Sequence, residues 1–143
     1  SNSHVFYAGT SSSNSNELMR ITGTGNVGIG AFPGAKLEVN GFTKLGSFAP
    51  AIKQKEITSF NTAAIDGGSA FVSHGLTPDK ILDVAIFVEA VESGLVSQIP
   101  PRFPRGVGFS YSYIINFTSI EVYLNDGANI LNKPIRILIT YKE

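Results

Sequence analysis

The first 46 residues supply short alternating runs of apolar side chains, but too few of these side chains for a hydrophobic core. Residues 1–30 contain 6 Ser, 5 Gly, 4 Asn and 3 Thr, so small turn-forming residues make up 18 of the 30. Apolar and other residues alternate through 18–22, 27–30 and 35–41, which predicts short strands separated by turns. A sheet of two or three such strands is only marginally stable alone in water. The segment is therefore either disordered or completed by other copies of the chain, and the alternation favours completion.

Completion by other copies requires apolar side chains that meet their symmetry mates. Glycine between these positions leaves one face bare, so that backbones approach closely around an axis. We expect a trimer core built from the apolar residues of the three runs, namely Met19, Ile21, Val27, Ile29, Leu37 and Val39.

The same stretch resembles a module of phage tail fibres and related bacterial fibre proteins. That module has the form E-x-M-R-I-x-x-x-G-N-V-G-I-G, then a short turn, then A-K-L-x-V-x-G. Here the first part runs from Asn16 to Gly30 and the second from Ala35 to Gly41, and the resemblance extends over residues 5–46. Phe32 and its neighbour Ala31 depart from it, because Thr or Ser is usual there. The resemblance implies a homotrimeric, β-rich neck of intertwined strands, followed by a C-terminal head.

The character of the chain changes after residues 47–50, the predicted hinge. Residues 51–143 are numerous enough for one domain with its own core. Two-residue alternation marks the segments 82–90, 107–117, 120–124 and 135–139. The segments 52–60 and 69–73 supply two more strands, joined through Asp66-Gly67-Gly68, and 77–80 is predicted as a single turn before the strand at 82–90. Short strands, Gly/Pro/Asn turns and no clear long helix indicate an antiparallel β-sandwich. The sequence thus predicts an all-β chain with a trimeric neck (1–46) and a β-sandwich head (51–143).

The most unusual loop of the head spans residues 97–106 and contains three prolines. One interpretation is a rigid polyproline-like connector with solvated charges. The other is a preordered binding loop, in which Arg102 and Arg105 hold acidic sugars or phosphates and Phe103 stacks on a ring. Tyr123 falls opposite an inward Val122 and is expected to be exposed, so it joins these three as a receptor-binding candidate. Tyr111 and Tyr113 share a face with Phe109, which favours core or protomer-interface packing.

His74 lies before a glycine in a Val-x-His-Gly-Leu sequence, which resembles a corner that precedes a long apolar strand in fibre heads. One hypothesis is a structural histidine whose ring bonds a backbone carbonyl at that corner. A second places three copies of the ring around a three-fold axis to hold a metal ion. The sequence lacks His-x-His spacing, which favours the structural role.

Composition excludes several classes of function. The chain has no cysteine, 11 basic and 11 acidic residues, and a formal net charge of zero. Nucleic acids and anionic membranes attract basic surfaces, so neither is an expected partner. No apolar run approaches the roughly 18 residues of a membrane-spanning helix, and membrane insertion is not expected. Carboxylates are scattered and no nucleophile or phosphate-loop motif stands out, so we predict no catalytic residues, metal or cofactor.

Together these features predict a non-enzymatic, receptor-binding tip of a homotrimeric tail fibre, on a virion or on another extracellular or cell-surface fibre. Its expected partners are its own copies and a cell-surface glycan or protein. A module that only trimerises and caps the fibre is one alternative. A fragment of a carbohydrate-active enzyme is another. The chain begins abruptly inside the resembled module, so we expect it to be part of a longer protein.

Overall fold

The computed structural model describes residues 2–11, 14–92, 94–101 and 107–143. Within these ranges the regular structure consists of strands and two short 3-10 turns, and most strand pairs are antiparallel, which confirms the all-β prediction. The chain divides into two compact units, Ser1–Lys53 and Gln54–Glu143. The predicted hinge at 47–50 lies in the first unit, directly before a long strand that begins at Ala51.

The first unit is built on a four-stranded sheet in which the strands follow chain order. Its strands are β1 (His4–Ser11), β2 (Asn14–Ile21), β3 (Val27–Ile29) and β4 (Leu37–Val39). β1, β2 and β3 pair antiparallel, whereas β3 and β4 run parallel. After β4, the two-residue β5 (Thr43–Lys44) pairs with the start of β6 (Ala51–Asn61). The alternating runs therefore form strands, and β1 is added from the Ser/Asn-rich lead-in.

The side of Gly28 that carries no side chain is covered by other residues of the same chain. A Cβ atom at this position would collide with the carbonyl oxygen of Ala31 and lie 2.8 Å from Cδ of Pro33. Only glycine therefore allows the turn between β3 and β4 to fold back over β3. The sequence interpretation assigned this space to a neighbouring protomer, but at Gly28 the turn of the same chain fills it.

The second unit contains two sheets. The first holds β10 (Ser110–Ile115), β11 (Ser119–Asp126) and β7 (Ser69–Ser73), in that order. In the second, β6, β12 (Pro134–Lys142), β8 (Ile81–Glu92) and β9 (Leu95–Ile99) lie side by side. A 3-10 turn at Pro78–Lys80 precedes β8, as the Thr-Pro-Asp sequence predicts, and a second lies at Ala128–Ile130.

Residues from both sheets form one buried cluster. The alternation over 135–139 predicts that Ile135, Ile137 and Ile139 of β12 point inward, and each is at most 1% exposed, which confirms the prediction. On β11 the inward side chains include Val122 and Leu124, both fully buried. All fourteen buried hydrophobic residues among the described residues belong to this cluster, and they lie between Val72 and Ile139.

A bulge in β8 reverses the predicted orientation of Leu82. The alternation predicts Leu82 on the inward face with Val84, but its side chain is 47% exposed. Thr140 pairs with Asp83 and Tyr141 pairs with Ile81, so Leu82 is skipped in the ladder. Such an extra residue switches the face of every residue beyond it. Ile81, rather than Leu82, consequently packs against the core.

The strand predicted at 107–117 is shorter in the structure. β10 begins at Ser110, because Gly108 has a φ of 89° and interrupts the extended backbone before it. The alternation over 107–117 places Val107 and Phe117 on the same face as Tyr111, but they lie outside the strand at its two ends and are 83% and 78% exposed. β9 also extends through Ile99 into the segment predicted as a loop from residue 97.

Candidate functional site

Three of the four predicted receptor-binding residues, Arg102, Phe103 and Arg105, lie outside the described residues. β9 ends at Ile99 and β10 begins at Ser110, so in sequence they fall between strands of different sheets.

Tyr123, the fourth candidate, lies on the outer face of the three-stranded sheet. Its neighbours along β11, Val122 and Leu124, are fully buried, whereas Tyr123 is 40% exposed. Successive strand residues point to opposite faces, so the predicted exposure of Tyr123 is confirmed. In the ladder Tyr123 lies between Ser112 and Ser69.

The next row of this outer face adds two large apolar side chains. Glu121 pairs with Ile114 on one side and with Phe71 on the other. Ile114 and Phe71 are 57% and 59% exposed, and Ser69 Oγ donates a 2.6 Å hydrogen bond to Glu121 Oε1. We call Phe71, Ile114, Glu121 and Tyr123 the Tyr123 face. It combines exposed aromatic rings with a positioned carboxylate, which suits contact with a sugar or a protein surface.

Sequence reasoning missed Phe71 and Ile114 as surface residues. The signal for Phe71 was its position between Ala70 and Val72 in a short alternating strand. Their meeting beside Tyr123 depends on the strand order β10-β11-β7, which joins segments far apart in the chain.

The predicted trimer-core residues lie together on one face of the first unit. Met19 pairs with Ile29, which pairs with Val39. Ile21 pairs with Val27, which pairs with Leu37. Paired strand residues share a face, so the six form two parallel rows. We call these six residues the neck face.

None of the neck-face side chains is buried within its own chain. Ile29 and Leu37 are 43% and 62% exposed, and the other four are half-buried. Phe6, which pairs with Met19, extends one row and is 54% exposed. The sequence interpretation did not include Phe6, because no strand was predicted there.

Arg20 lies on the opposite side of this sheet from the neck face. Its Nε donates a 2.7 Å hydrogen bond to Oε1 of Glu17, and its guanidinium carbon lies 4.9 Å from the centre of the Phe32 ring. The hydrogen bond from Arg20 lowers the pKa of the Glu17 carboxyl below its usual value. Phe32, which departs from the resembled module, therefore packs beside an ion pair. Arg20 and Phe32 also line a cavity of about 430 Å³.

His74 holds the corner between β7 and the turn before β8. Its Nδ1 accepts a 3.1 Å hydrogen bond from the backbone N–H of Leu76. Nδ1 therefore carries no proton, and Nε2 donates to the carbonyl of Asn116 at 3.1 Å. The ring is fully buried, and the predicted bond to a backbone carbonyl is confirmed. With both ring nitrogens engaged, a metal ion could bind this ring only after one of these bonds was broken.

We expect His74→Ala to lower the free energy of unfolding by about 2–4 kcal/mol, because the fully buried ring is removed and two partly buried backbone groups, the N–H of Leu76 and the carbonyl of Asn116, lose their partner. Urea denaturation monitored by circular dichroism measures this loss. His4→Ala, an exposed histidine in the first unit, is the control and should change stability by under about 0.5 kcal/mol. An equal effect of the two variants would contradict the structural role of His74.

Within the described ranges, no group of three or more His, Asp or Glu side chains could hold a metal ion. None of the helical segments described is long and apolar enough to cross a membrane.

Comparison with protein-family models, with curated proteins and with solved structures finds no match to this chain.

Proposed function

We propose that this chain forms the receptor-binding end of a homotrimeric fibre, of the type carried by phage tails or cell surfaces. In this proposal residues 1–46 register three chains as an intertwined neck. Residues 51–143 form three β-sandwich heads that present their outer faces and loops to a cell-surface glycan or protein. The role is structural and adhesive, without catalysis.

The neck face is the observation that carries the proposal. Its six apolar residues lie in two adjoining rows, yet no Val, Ile, Leu, Met, Phe or Tyr side chain described in the first unit is buried. An exposed apolar face of this kind is typical of a surface that another chain covers. Copies of the same chain are suitable partners, since the same apolar rows of three chains can meet around one three-fold axis.

The structure of the second unit supports the proposal that it is a β-sandwich head. Its two sheets contribute to one buried cluster, as in a β-sandwich. The Tyr123 face then lies on the side of the three-stranded sheet that points away from this cluster. A cored unit with an exposed aromatic face can bind a receptor without depending on the neck for its fold.

Molar mass in solution tests the assembly. Light scattering on the purified chain should give about 46 kDa, three times the chain mass of 15.2 kDa. A mass near that of one chain at micromolar concentration would refute the trimer.

Binding to arrayed bacterial-surface glycans and to whole cells tests the receptor role. We expect wild type to bind, and the loop variants Arg102→Ala and Arg105→Ala each to weaken binding by on the order of tenfold. Lys80→Ala is the control, since Lys80 is an exposed cation on the turn before β8. If the protein is a trimer but binds neither glycans nor cells, the receptor-binding role is refuted, and the chain is a module that only trimerises and caps the fibre.

A further inference from the structure

Four neighbouring strands of the second unit each place a polar side chain around one small cavity. The cavity has a volume of about 200 Å³ and is lined by Thr58, Glu89, Gln98, Pro134, Ile135 and Arg136. Thr58 comes from β6, Arg136 from β12, Glu89 from β8 and Gln98 from β9, which is the order of these strands in the sheet. The polar lining therefore forms a row across the sheet, and no two of its members come from the same strand.

Strand alternation places this row on the outer face. Ile135 and Ile137 point into the core and are at most 1% exposed, so Arg136 between them points outward. Val88 and Ala90 are likewise buried, so Glu89 points outward. The cavity thus opens on the side of the sheet away from the core and on a different sheet from the Tyr123 face.

The opposite charges in the lining are close but do not pair with each other. Arg136 pairs in the ladder with Phe87, and Glu89 pairs with Gln98. Glu89 is consequently a diagonal neighbour of Arg136, at a typical backbone separation of about 7–8 Å. Among the described residues, neither side chain forms an ion pair with the other or a hydrogen bond with Gln98 or Thr58. The charged groups remain available to a ligand between them.

The chemistry of the lining selects a neutral ligand rich in hydroxyls. Arg136 only donates hydrogen bonds, Glu89 as a carboxylate only accepts them, and Gln98 and Thr58 do both. An anionic ligand would be repelled by Glu89, and a cationic ligand by Arg136. Hydroxyl groups can satisfy both, and the ring of Pro134 offers an apolar surface to the carbons of a sugar. The cavity is smaller than the roughly 300–1,000 Å³ of sites for drug-sized molecules, so it suits a single ring.

From this geometry we propose that the outer face of the four strands binds one neutral monosaccharide unit through Arg136, Glu89, Gln98 and Thr58. The site names the class of receptor that the proposed function leaves open. Sugar binding itself does not depend on the proposed function; only the claim that the sugar is part of a cell surface rests on it. It lies on a different sheet from the Tyr123 face and uses none of the four predicted receptor-binding residues.

The test is a titration of the full chain, labelled with ¹⁵N, with glucose-, galactose- and mannose-terminated oligosaccharides followed by NMR. We expect resonances of Glu89, Gln98 and Arg136 to shift with at least one of the three. Arg136→Met and Glu89→Gln should each weaken the affinity by on the order of tenfold, because each removes a charged hydrogen-bonding group. Asp83→Asn is the control, since Asp83 is an exposed carboxylate on the same strand as Glu89 but does not line the cavity. Thermal unfolding of each variant confirms that it is folded.

The outcomes separate this site from the fibre proposal. If the protein is a trimer but none of the three sugars binds at these residues, the proposed sugar site is refuted and the proposed trimer is not. Binding that persists unchanged in both Arg136→Met and Glu89→Gln would also overturn it. Tighter binding of an anionic, sialylated oligosaccharide or of the zwitterion glycine at the same residues would refute the choice of an uncharged ligand rich in hydroxyls. If the protein is a monomer in solution and binds a sugar through Arg136 and Glu89, the sugar site is supported and the trimer is refuted.

Discussion

Ile29→Asp is expected to reduce the molar mass of the protein in solution from about 46 kDa to that of the single 15.2 kDa chain. Ile29 is the centre of the row Met19–Ile29–Val39 and is 43% exposed. In a single chain a carboxylate at this exposed position stays in contact with water. In the proposed trimer it would be buried between chains without a partner, at a cost of several kcal/mol for each copy. Light scattering at a fixed protomer concentration measures the change.

Ile65→Asp is the matched control for this experiment. Ile65 is 68% exposed and lies in the second unit, between β6 and β7, so the same substitution there should leave the mass of the assembly unchanged. Circular dichroism should show strand content in both variants, because Ile29 lies outside the cored second unit and Ile65 is exposed on its surface. An undiminished mass for Ile29→Asp would show that the neck face is not the trimer contact.

The parts of the fold that the sequence predicted are those encoded by local alternation. The inward face of β12 needed only the two-residue period of a strand and is as predicted. The strand at Ser69–Ser73, predicted after the turn sequence Asp66-Gly67-Gly68, also has its predicted bounds. The neck-face residues also follow from local patterns, because each occupies an alternating run. Their alignment in two rows additionally requires the pairing of β2 with β3 and of β3 with β4.

The parts that could not be predicted depend on which strands become neighbours. The exposure of Leu82 results from a bulge opposite Thr140, nearly sixty residues later in the chain. β3 and β4 pair in parallel across a turn where an antiparallel hairpin is the usual expectation. The cavity between Arg136 and Glu89 depends on a strand order that brings four separate segments together. Single-sequence periodicity contains no information about such pairings.

Tyr111→Phe is expected to be the most destabilising change that removes a single oxygen atom from this molecule. Tyr111 is fully buried, as its shared face with Phe109 predicts, and it connects the two sheets of the second unit. Its hydroxyl lies 2.9 Å from the carbonyl oxygen of Ile86 and 2.8 Å from that of Ile99, and its one proton is donated to these acceptors. Loss of this donor should lower the free energy of unfolding by about 1–3 kcal/mol.

The measurement is urea denaturation at one protomer concentration, since assembly would make apparent stability depend on concentration. Tyr113→Phe is the control, because Tyr113 is 37% exposed and its hydroxyl donates a longer, 3.2 Å hydrogen bond to the carbonyl of Val84. It should cost about 0.5–1 kcal/mol. A control that destabilises as much as Tyr111→Phe would mean that the buried hydroxyl is not the main polar connection between the sheets.

The same hydroxyl should make stability depend on pH at the alkaline end. Burial, reinforced by the nearby Tyr113, raises the pKa of Tyr111 above its ordinary value of about 10. Above that pH the unfolded chain loses this proton before the folded chain does, so the folded state binds more protons and the free energy of unfolding falls. The fall is at most about 1.4 kcal/mol per pH unit, starts near pH 10 and ends once the folded protein also ionises. Tyr111→Phe cannot ionise there, so its stability should decline less steeply than that of wild type between pH 10 and 11. Parallel declines would mean that the Tyr111 hydroxyl ionises as readily in the folded protein as in the unfolded chain, contrary to its complete burial.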